Sequence, residues 1–176
     1  FLEGGEGEKL LGIGVSLPGI LDEAGERLLY SHALDIYDVE TKRFSQNLPY
    51  PCIFLNDANA AGMAELWNNP ETENLIYLSL SNTVGGAIIN GGKIYTGNTL
   101  RAGEFGHMTL VPNGRPCYCG KVGCLDAYLS AKVLSSHADG NLAQFFERLR
   151  DHDKTATEVW TEYLQYLAVA INNLSM

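Results

Sequence analysis

Residues 107–130 of the chain read HMTLVPNGRPCYCGKVGCLDAYLS and contain three of its four cysteines. Cys117 and Cys119 are separated by one residue, and Cys124 follows after two glycines, whose lack of a Cβ lets the backbone turn sharply. His107 precedes this group across the segment VPNG, which is typical of a turn. Three thiolates and one imidazole form a complete tetrahedral ligand set for structural Zn²⁺. The sequence therefore predicts zinc bound by His107, Cys117, Cys119 and Cys124.

Two alternatives for these cysteines stay open at the level of sequence. They could be buried free thiols, or Cys119 and Cys124 could form a disulfide beside an unrelated His107. Nothing indicates secretion, because the first residues, FLEGGEGEKL, are acidic and glycine-rich rather than basic and then apolar. In a cytoplasmic protein such a cluster is more typical of metal ligation. The isolated Cys52 is predicted to be a small hydrophobic core residue.

The composition limits the possible classes of function. The 176 residues carry a net charge of −9 and are 45% apolar, which suits one ordinary domain or two small lobes. No segment is basic enough to indicate direct nucleic-acid binding, and no apolar run is long enough to span a bilayer. A cytoplasmic protein without a membrane segment is expected. The chain lacks an initial Met and stops within a helical pattern, so we expect it to be a piece of a longer protein.

The first half of the chain has the pattern of a mixed α/β protein. LLGIGVSLPG is predicted to be a strand that ends in a turn, and ILDEAGERLLY a hairpin. Cys52–Leu55 is predicted to be a buried strand of a parallel or mixed sheet. A short helix is expected within Tyr37–Leu48, and a longer one over Ala58–Trp67. The polar segment Asn68–Asn74 predicts a boundary between lobes comprising residues 1–70 and 71–176.

The second half is predicted to combine a hairpin with helices. NLIYLSLS and VGGAIINGGKIYTG are read as two antiparallel strands, the second turning at Gly91 and Gly92. LDAYLSAKVLSSHA and NLAQFFERLRDH have helical composition, with Asn141 as the N-cap of the latter. TEVWTEYLQYLAVAINNL is the strongest helix prediction. Its apolar face is expected to comprise Trp160, Tyr163, Leu164, Leu167, Ile171 and Leu174.

Three motifs together resemble the signature of the ROK family, which contains sugar-responsive transcriptional repressors and sugar kinases. AGEFGHMTLVPNGRPCYCGKVGCLDAYLS is similar to G-E-x-G-H followed by C-x-C-G-x-x-G-C-x-E. LNDANAAGMAELW is similar to N-D-A-N-A-x-x-x-x-E. GIGVSLPGILD is similar to G-x-G-x-P-G, with Ser16 and Leu17 intervening before Pro18. These matches extend from about Gly12 to the final helix, so the resemblance covers nearly the whole chain.

The resemblance implies part of an actin-like ATPase (ribonuclease H-like) fold, in which two α/β lobes enclose a ligand cleft. Asp57 matches the catalytic base of the family's kinases, and Asn56 matches a sugar-hydroxyl contact. Glu104 and His107 are expected near the sugar, with His107 also on the zinc. Asp126 replaces the family's usual Glu, and its shorter side chain puts a sugar contact there in doubt.

The residues themselves allow other roles for two of these acids. Asp57 follows an apolar strand, where open α/β sheets bind ligands, but Asp is also a frequent helix N-cap. Glu104 lies among glycines and could be an exposed loop acid. The functional interpretation is supported by chemistry, because carboxylates and amides accept and donate the several hydrogen bonds that sugar hydroxyls need. The remaining histidines, His32, His137 and His152, show no motif and are predicted to be surface residues.

The chain departs from the family's kinases at the phosphate loop. Their G-T-G-x-G-G-G pattern is replaced here by SNTVGGA, residues 81–87, so only Gly85 and Gly86 remain as a weakened phosphate site. The early D-x-G-G-T loop is absent from this sequence. Three interpretations therefore stay open. The first is a transcriptional regulator that binds a hexose or amino-sugar without phosphorylating it, and that binds DNA through an N-terminal winged helix-turn-helix outside this chain.

The second interpretation is an ATP- and Mg²⁺-dependent sugar kinase in which Asp57 is the base. The third is a zinc-stabilised interaction module without a ligand. The replaced glycines favour the regulator. The resemblance to this family also implies a homo-oligomer.

Overall fold

The first half of the chain builds a parallel strand pair and an antiparallel sheet. The structure is a computed structural model that describes residues 10–175. β1 (Ile13–Leu17) is followed by β2 (Ile20–Leu21), β3 (Arg27–Ser31) and β4 (Ile36–Glu40), which pair antiparallel in the order β2-β3-β4. β5 (Cys52–Asn56) returns to pair in parallel with β1. The predicted hairpin and the predicted parallel pairing are both confirmed.

The short helix expected within Tyr37–Leu48 is present but covers only part of that segment. Only α1 (Lys42–Ser45) is helical, and Tyr37–Glu40 belongs to β4. Cross-strand contacts override the helical composition here, because Tyr37 pairs with Tyr30 and the Asp38 carboxylate accepts from the Arg27 guanidinium at 2.7 Å. Local propensity carries no information about these partners, which lie on another strand.

β5 is buried on one face only, which corrects the prediction of a fully buried strand. Phe54 packs with Leu28 and Leu21 in a small core cluster, and Cys52 packs partly against that cluster, as expected. Ile53 and Leu55 point the other way and are 66% and 42% exposed. An unbroken apolar run predicts a buried strand, but it does not say whether both faces are covered.

A helix and a hairpin connect the two halves of the chain. α2 (Asp57–Asn68) begins directly after β5, and an irregular polar segment leads to β6 (Leu75–Leu80). β7 (Val84–Asn90) pairs antiparallel with β6, then turns at Gly91 and Gly92 into β8 (Lys93–Ile94) as predicted. The predicted lobe boundary between residues 70 and 71 falls in the irregular segment after α2 and stays a prediction.

α2 packs closely on the sheet of β6 and β7 because it carries Gly62 at the contact. A Cβ at Gly62 would lie 2.9 Å from the Cβ of Ala87 and 3.4 Å from that of Tyr77. Because Gly62 has no side chain and Ala87 has only a methyl group, the helix can approach the sheet closely. This packing fixes the start of α2, where two of the candidate site residues lie.

The rest of the chain is helical and forms the larger core. α3 (Asp126–Leu129), α4 (Ala131–Ser135), α5 (Leu142–Arg150) and α6 (Lys154–Leu174) follow a long irregular segment that includes a 3₁₀ turn at Phe105–His107. The helical composition of residues 125–138 is confirmed, but Ser130 is extended (ψ 150°) and divides it into two helices. Asn141 caps α5 as predicted, its side-chain oxygen accepting from the Gln144 amide. Leu129, Phe145, Ala156 and Tyr163 pack together at the centre of this core.

α6 buries a face that matches the predicted one only in part. Ala156, Tyr163 and Ala170 are buried, whereas Leu164 and Ile171 are 43% and 53% exposed. The two alanines allow close approach to the neighbouring helices, and the Tyr163 hydroxyl donates to the Leu129 carbonyl at 2.9 Å, which sets the rotation of the helix. Trp160 and Leu167 pack partly against the core, as expected. Within residues 10–175, none of the helices has the length and apolar character that a membrane crossing requires.

Candidate functional site

The four predicted metal ligands converge at one point. The Sγ atoms of Cys119 and Cys124 lie 3.7 Å apart, and Nδ1 of His107 lies 3.9 Å from Sγ of Cys117. All four ligand atoms lie within 4.8 Å of one another. Tetrahedral zinc with Zn–S bonds of about 2.3 Å separates its sulfur ligands by about 3.8 Å, so the four residues fit a zinc ion. The cluster could hold a metal.

Backbone hydrogen bonds and glycines shape this metal loop, residues 107–124. The Cys117 amide donates to the Lys121 carbonyl, and Thr109 bridges to Cys124. Gly123 has a φ of +76°, and a Cβ there would overlap the carbonyl oxygen of Val111, so only glycine fits. The chain therefore folds back on itself and brings ligands from its two ends together.

The protonation of the ligands is consistent with a metal centre. Burial lowers the pKa of His107, which favours the neutral imidazole that binds metals. Burial raises the pKa of Cys117 to about 12, so its thiol stays protonated at neutral pH unless a cation offsets the charge. All four cysteines of the chain are free thiols, and the 3.7 Å between Cys119 and Cys124 is not a disulfide bond.

Two candidate sugar ligands lie at the carboxyl end of the parallel strands, where β5 passes into α2. Asn56 is the N-cap of α2: its Oδ1 accepts from the Asn59 amide, and its Nδ2 donates to the Gly19 carbonyl at 3.0 Å. Asp57 is the first residue of the helix and is exposed, with Oδ1 accepting from its neighbour Ala58. The capping role considered for Asp57 therefore belongs to Asn56.

Glu104 comes from the other half of the chain and lies near Asp57. Burial raises the pKa of Glu104, and the negative charge of Asp57 raises it further, while Arg101 opposes both. A cleft of about 990 Å³ separates the hairpin of β2 and β3 from the second half of the chain. Its lining includes Gly19, Asn56 and Glu104 but not Asp57 or His107.

Asp126 is buried and already has a partner within the protein. Its Oδ2 accepts from the Val84 amide at 2.6 Å, across 42 residues of chain. Burial raises the pKa of Asp126, whereas the Val84 amide and the nearby His107 lower it. This carboxylate thus ties α3 to the start of β7.

Gly85 and Gly86 lie inside β7 and pair with Ser79 and Leu78. A Cβ at Gly86 would overlap the Phe105 ring, and one at Gly85 would lie 3.2 Å from the Ala58 Cβ. Close packing accounts for both glycines without a ligand. Their assignment to a phosphate site stays a prediction.

His32 is exposed, as predicted, but its ring contacts were not predicted from the sequence. Its ring lies 5.7 Å from that of Tyr118 and 6.4 Å from that of His107, so it belongs to the surroundings of the metal loop. The available signal was Tyr118, an aromatic residue placed between two cysteine ligands. A ring in that position has to pack against something, but the sequence does not name the partner.

Comparisons with known proteins agree with the fold. The model of the ROK family matches residues 3–176. A glucokinase from Halalkalibacterium halodurans is 35% identical over 164 residues, which are 86% of this chain and 49% of that protein. The xylose repressor from Bacillus spizizenii is 34% identical over 128 residues, which are 71% of this chain and 33% of the repressor.

A solved structure gives the same picture. The crystal structure of a ROK family glucokinase from Streptomyces griseus, in complex with glucose and AMPPNP, has a TM-score of 0.82 and 26% identity. The structural match covers 97% of this chain and 63% of the glucokinase chain. The chain thus spans a third to a half of the length of the two curated relatives, and the predicted actin-like ATPase fold is confirmed. The chain belongs to the ROK family.

Proposed function

We propose that this chain is the sugar-binding region of a ROK-family transcriptional regulator. A hexose or amino-sugar binds through Asn56 and Glu104, which line the cleft, and through Asp57 beside Asn56, with His107 close to the sugar. The bound sugar is a signal and is not phosphorylated. DNA binding belongs to an N-terminal domain outside this chain, and the intact protein is a cytoplasmic homo-oligomer.

The observation that carries this proposal concerns the loop between β6 and β7, which corresponds to the phosphate loop of the family's kinases. Groups of this loop are already hydrogen-bonded within the protein. Ser81 and Thr83 place side chains where the family's kinase pattern has glycine, which hinders the close approach of phosphate to the backbone. The Val84 amide donates to Asp126, and the Ser81 carbonyl accepts from the Ala131 amide. An amide that is already satisfied by a carboxylate is a poor donor to an incoming phosphate oxygen.

The metal in this proposal is a structural zinc held by His107, Cys117, Cys119 and Cys124. Four protein ligands leave no coordination position for water, so the metal stabilises the loop and does not take part in chemistry. Its role is to hold His107 and the adjacent Glu104 in place. Asp126 supports the same arrangement through Val84, without needing to reach the sugar.

A second candidate is an ATP- and Mg²⁺-dependent sugar kinase, favoured by the position of Asp57. This carboxylate is exposed at the carboxyl end of β5, beside Asn56, where it could accept a proton from a sugar hydroxyl. The kinases among the relatives support the same role. General-base assistance is worth about 10²–10⁴-fold, but it needs a phosphoryl donor held in line with the hydroxyl.

A single assay separates the two candidates. Full-length protein is screened by calorimetry against a panel of monosaccharides, and the sugar that binds is then incubated with ATP and Mg²⁺. The regulator predicts binding without turnover. Turnover of about 1 s⁻¹ or more that Asp57→Asn abolishes would instead establish the kinase.

A further inference from the structure

A cluster of aromatic rings connects the metal loop to the antiparallel sheet of the first half. The Tyr118 ring lies edge-on to His32 with centroids 5.7 Å apart, and 5.4 Å from His107. His32 in turn lies 4.1 Å from Tyr30, whose ring is 5.1 Å from Tyr37 on β4. Edge-to-face rings at 4.5–7 Å attract one another beyond the area they bury.

The sheet end of this cluster is tightly coupled to the cleft. Gly19 has a φ of +131°, and a Cβ there would overlap the Tyr30 carbonyl oxygen and lie 2.9 Å from the Cβ of Ser31. The carbonyl of Gly19 accepts from Nδ2 of Asn56 at 3.0 Å. Because Gly19 packs directly on Tyr30 and Ser31, a shift of the chain at His32 would reach Asn56 through Ser31 and Gly19.

The metal end of the cluster depends on the metal for its position. Tyr118 lies between Cys117 and Cys119, so metal binding fixes its backbone on both sides. Its side chain is 52% exposed, and the cluster, not a surrounding core, sets its orientation. Without metal, the loop would no longer hold the Tyr118 ring against His32.

We propose that Tyr118 and His32 are positioning residues through which the metal loop holds Asn56 in its sugar-binding orientation. The proposal rests on the proposed sugar site. It adds two residues that position this site without touching the sugar. Metal occupancy then affects sugar affinity by two routes. One runs through His107 directly, and the other through Tyr118, His32 and Gly19.

The first test is a double-mutant cycle on sugar affinity. Calorimetry is carried out on Tyr118→Ala, His32→Ala and the double variant, with zinc content measured in each. We expect each single change to weaken affinity by about 2- to 10-fold at unchanged zinc content, and the double change to weaken it no further. Tyr118→Phe keeps the ring and should keep the affinity. Tyr95→Ala, at 53% exposure and outside the cleft lining, is the matched control.

Unchanged affinities at full zinc content, strictly additive losses, or an equal loss in Tyr118→Phe would each overturn the proposal. A second measurement does not need a sugar. Chelation of the metal should speed amide hydrogen exchange in β3 and β4 of the wild-type protein, but not in Tyr118→Ala, where exchange is already fast. No change in the wild type would overturn the coupling. Coupled exchange together with no binding of any monosaccharide would support the coupling and reject the proposed function alone.

Discussion

At Glu104, the charge that is proposed to bind the sugar lowers the stability of the folded protein. Burial and the nearby Asp57 raise the pKa of Glu104 above its ordinary value of 4.5, so the folded protein binds this proton more tightly than the unfolded chain does. The stability that follows from this difference is fully present at low pH. It is lost as the pH rises from about 4.5 through the raised pKa of the folded state. Above that pH range, the charged carboxylate of Glu104 therefore makes the folded state less stable.

Replacing Glu104 by Gln should separate the two effects. Without the buried charge, we expect a higher free energy of unfolding at pH 7 than in the wild type, with the difference vanishing as the pH approaches 4.5. Sugar affinity should fall by about 10- to 100-fold, because a charged hydrogen-bond acceptor is worth roughly 1.5–3 kcal/mol. Urea unfolding across this pH range and calorimetry measure the two quantities.

The control for this variant is Glu71→Gln, on the exposed segment between α2 and β6. It should change neither the sugar affinity nor the pH dependence of unfolding. A Glu104→Gln protein that is no more stable than the wild type at pH 7 would contradict the assigned cost of burial.

Individual residues could be predicted from sequence where a motif specifies them. The convergence of His107, Cys117, Cys119 and Cys124 could be predicted because C-x-C spacing and glycines indicate their geometry directly. The partner of Asp126 could not be found, because Val84 lies 42 residues away and donates through its backbone, which every residue except proline can do. The contact of His32 with Tyr118 could not be found for the same reason, because the two residues are distant in sequence.

The metal loop is the element whose fold depends most on a ligand. Cys124→Ser should reduce zinc from about one equivalent per chain to nearly none, since Cys124 is fully buried at the centre of the ligand set. The remaining thiols should then react readily with a thiol reagent. Cys52→Ser lies outside the cluster and should keep its zinc. Metal analysis of protein purified without chelator checks both variants, and a metal-free wild type would disprove the zinc assignment.

The helical core gives a test at two adjacent positions of α5. Phe145 is fully buried between α5 and α6, whereas its neighbour Phe146 is 37% exposed. We expect Phe145→Ala to lower the free energy of unfolding by about 3–5 kcal/mol, and Phe146→Ala to lower it by much less. Urea denaturation compares the two. Equal losses would mean that α5 packs through another face.

For helices and strands, the sequence predicts that an element is present better than it predicts which face is buried. The existence of α6 was predicted correctly, but its buried face only in part, since Ala156 and Ala170 are buried through close packing and not through hydrophobicity. The β4 strand was missed because its partner β3 supplies the contacts that decide it. Ser130 divides a helical segment through the bond from the Ala131 amide to the Ser81 carbonyl, which no helical pattern records.

Over the whole molecule, the cleft joins residues from both halves of the chain, so ligands should stabilise the two halves together. A sugar at 100 times its dissociation constant should raise the free energy of unfolding by about 2.7 kcal/mol. Millimolar ATP with Mg²⁺ should give no comparable increase, because the Val84 amide is occupied by Asp126. Thermal denaturation with each ligand measures this difference. A nucleotide effect as large as that of the sugar would favour the kinase.

The metal loop also bears on which of its residues occur together in homologous sequences. Residues 107–124 bury few apolar groups, and fixing a backbone costs about 1–2 kcal/mol per residue, so the metal has to offset most of the ordering of the loop. Three ligands hold a metal far less well than four, and a lineage that loses one ligand gains little by retaining the others. Among homologous sequences we therefore expect His107, Cys117, Cys119 and Cys124 to be inherited as a set or lost as a set, with intermediate sets rare.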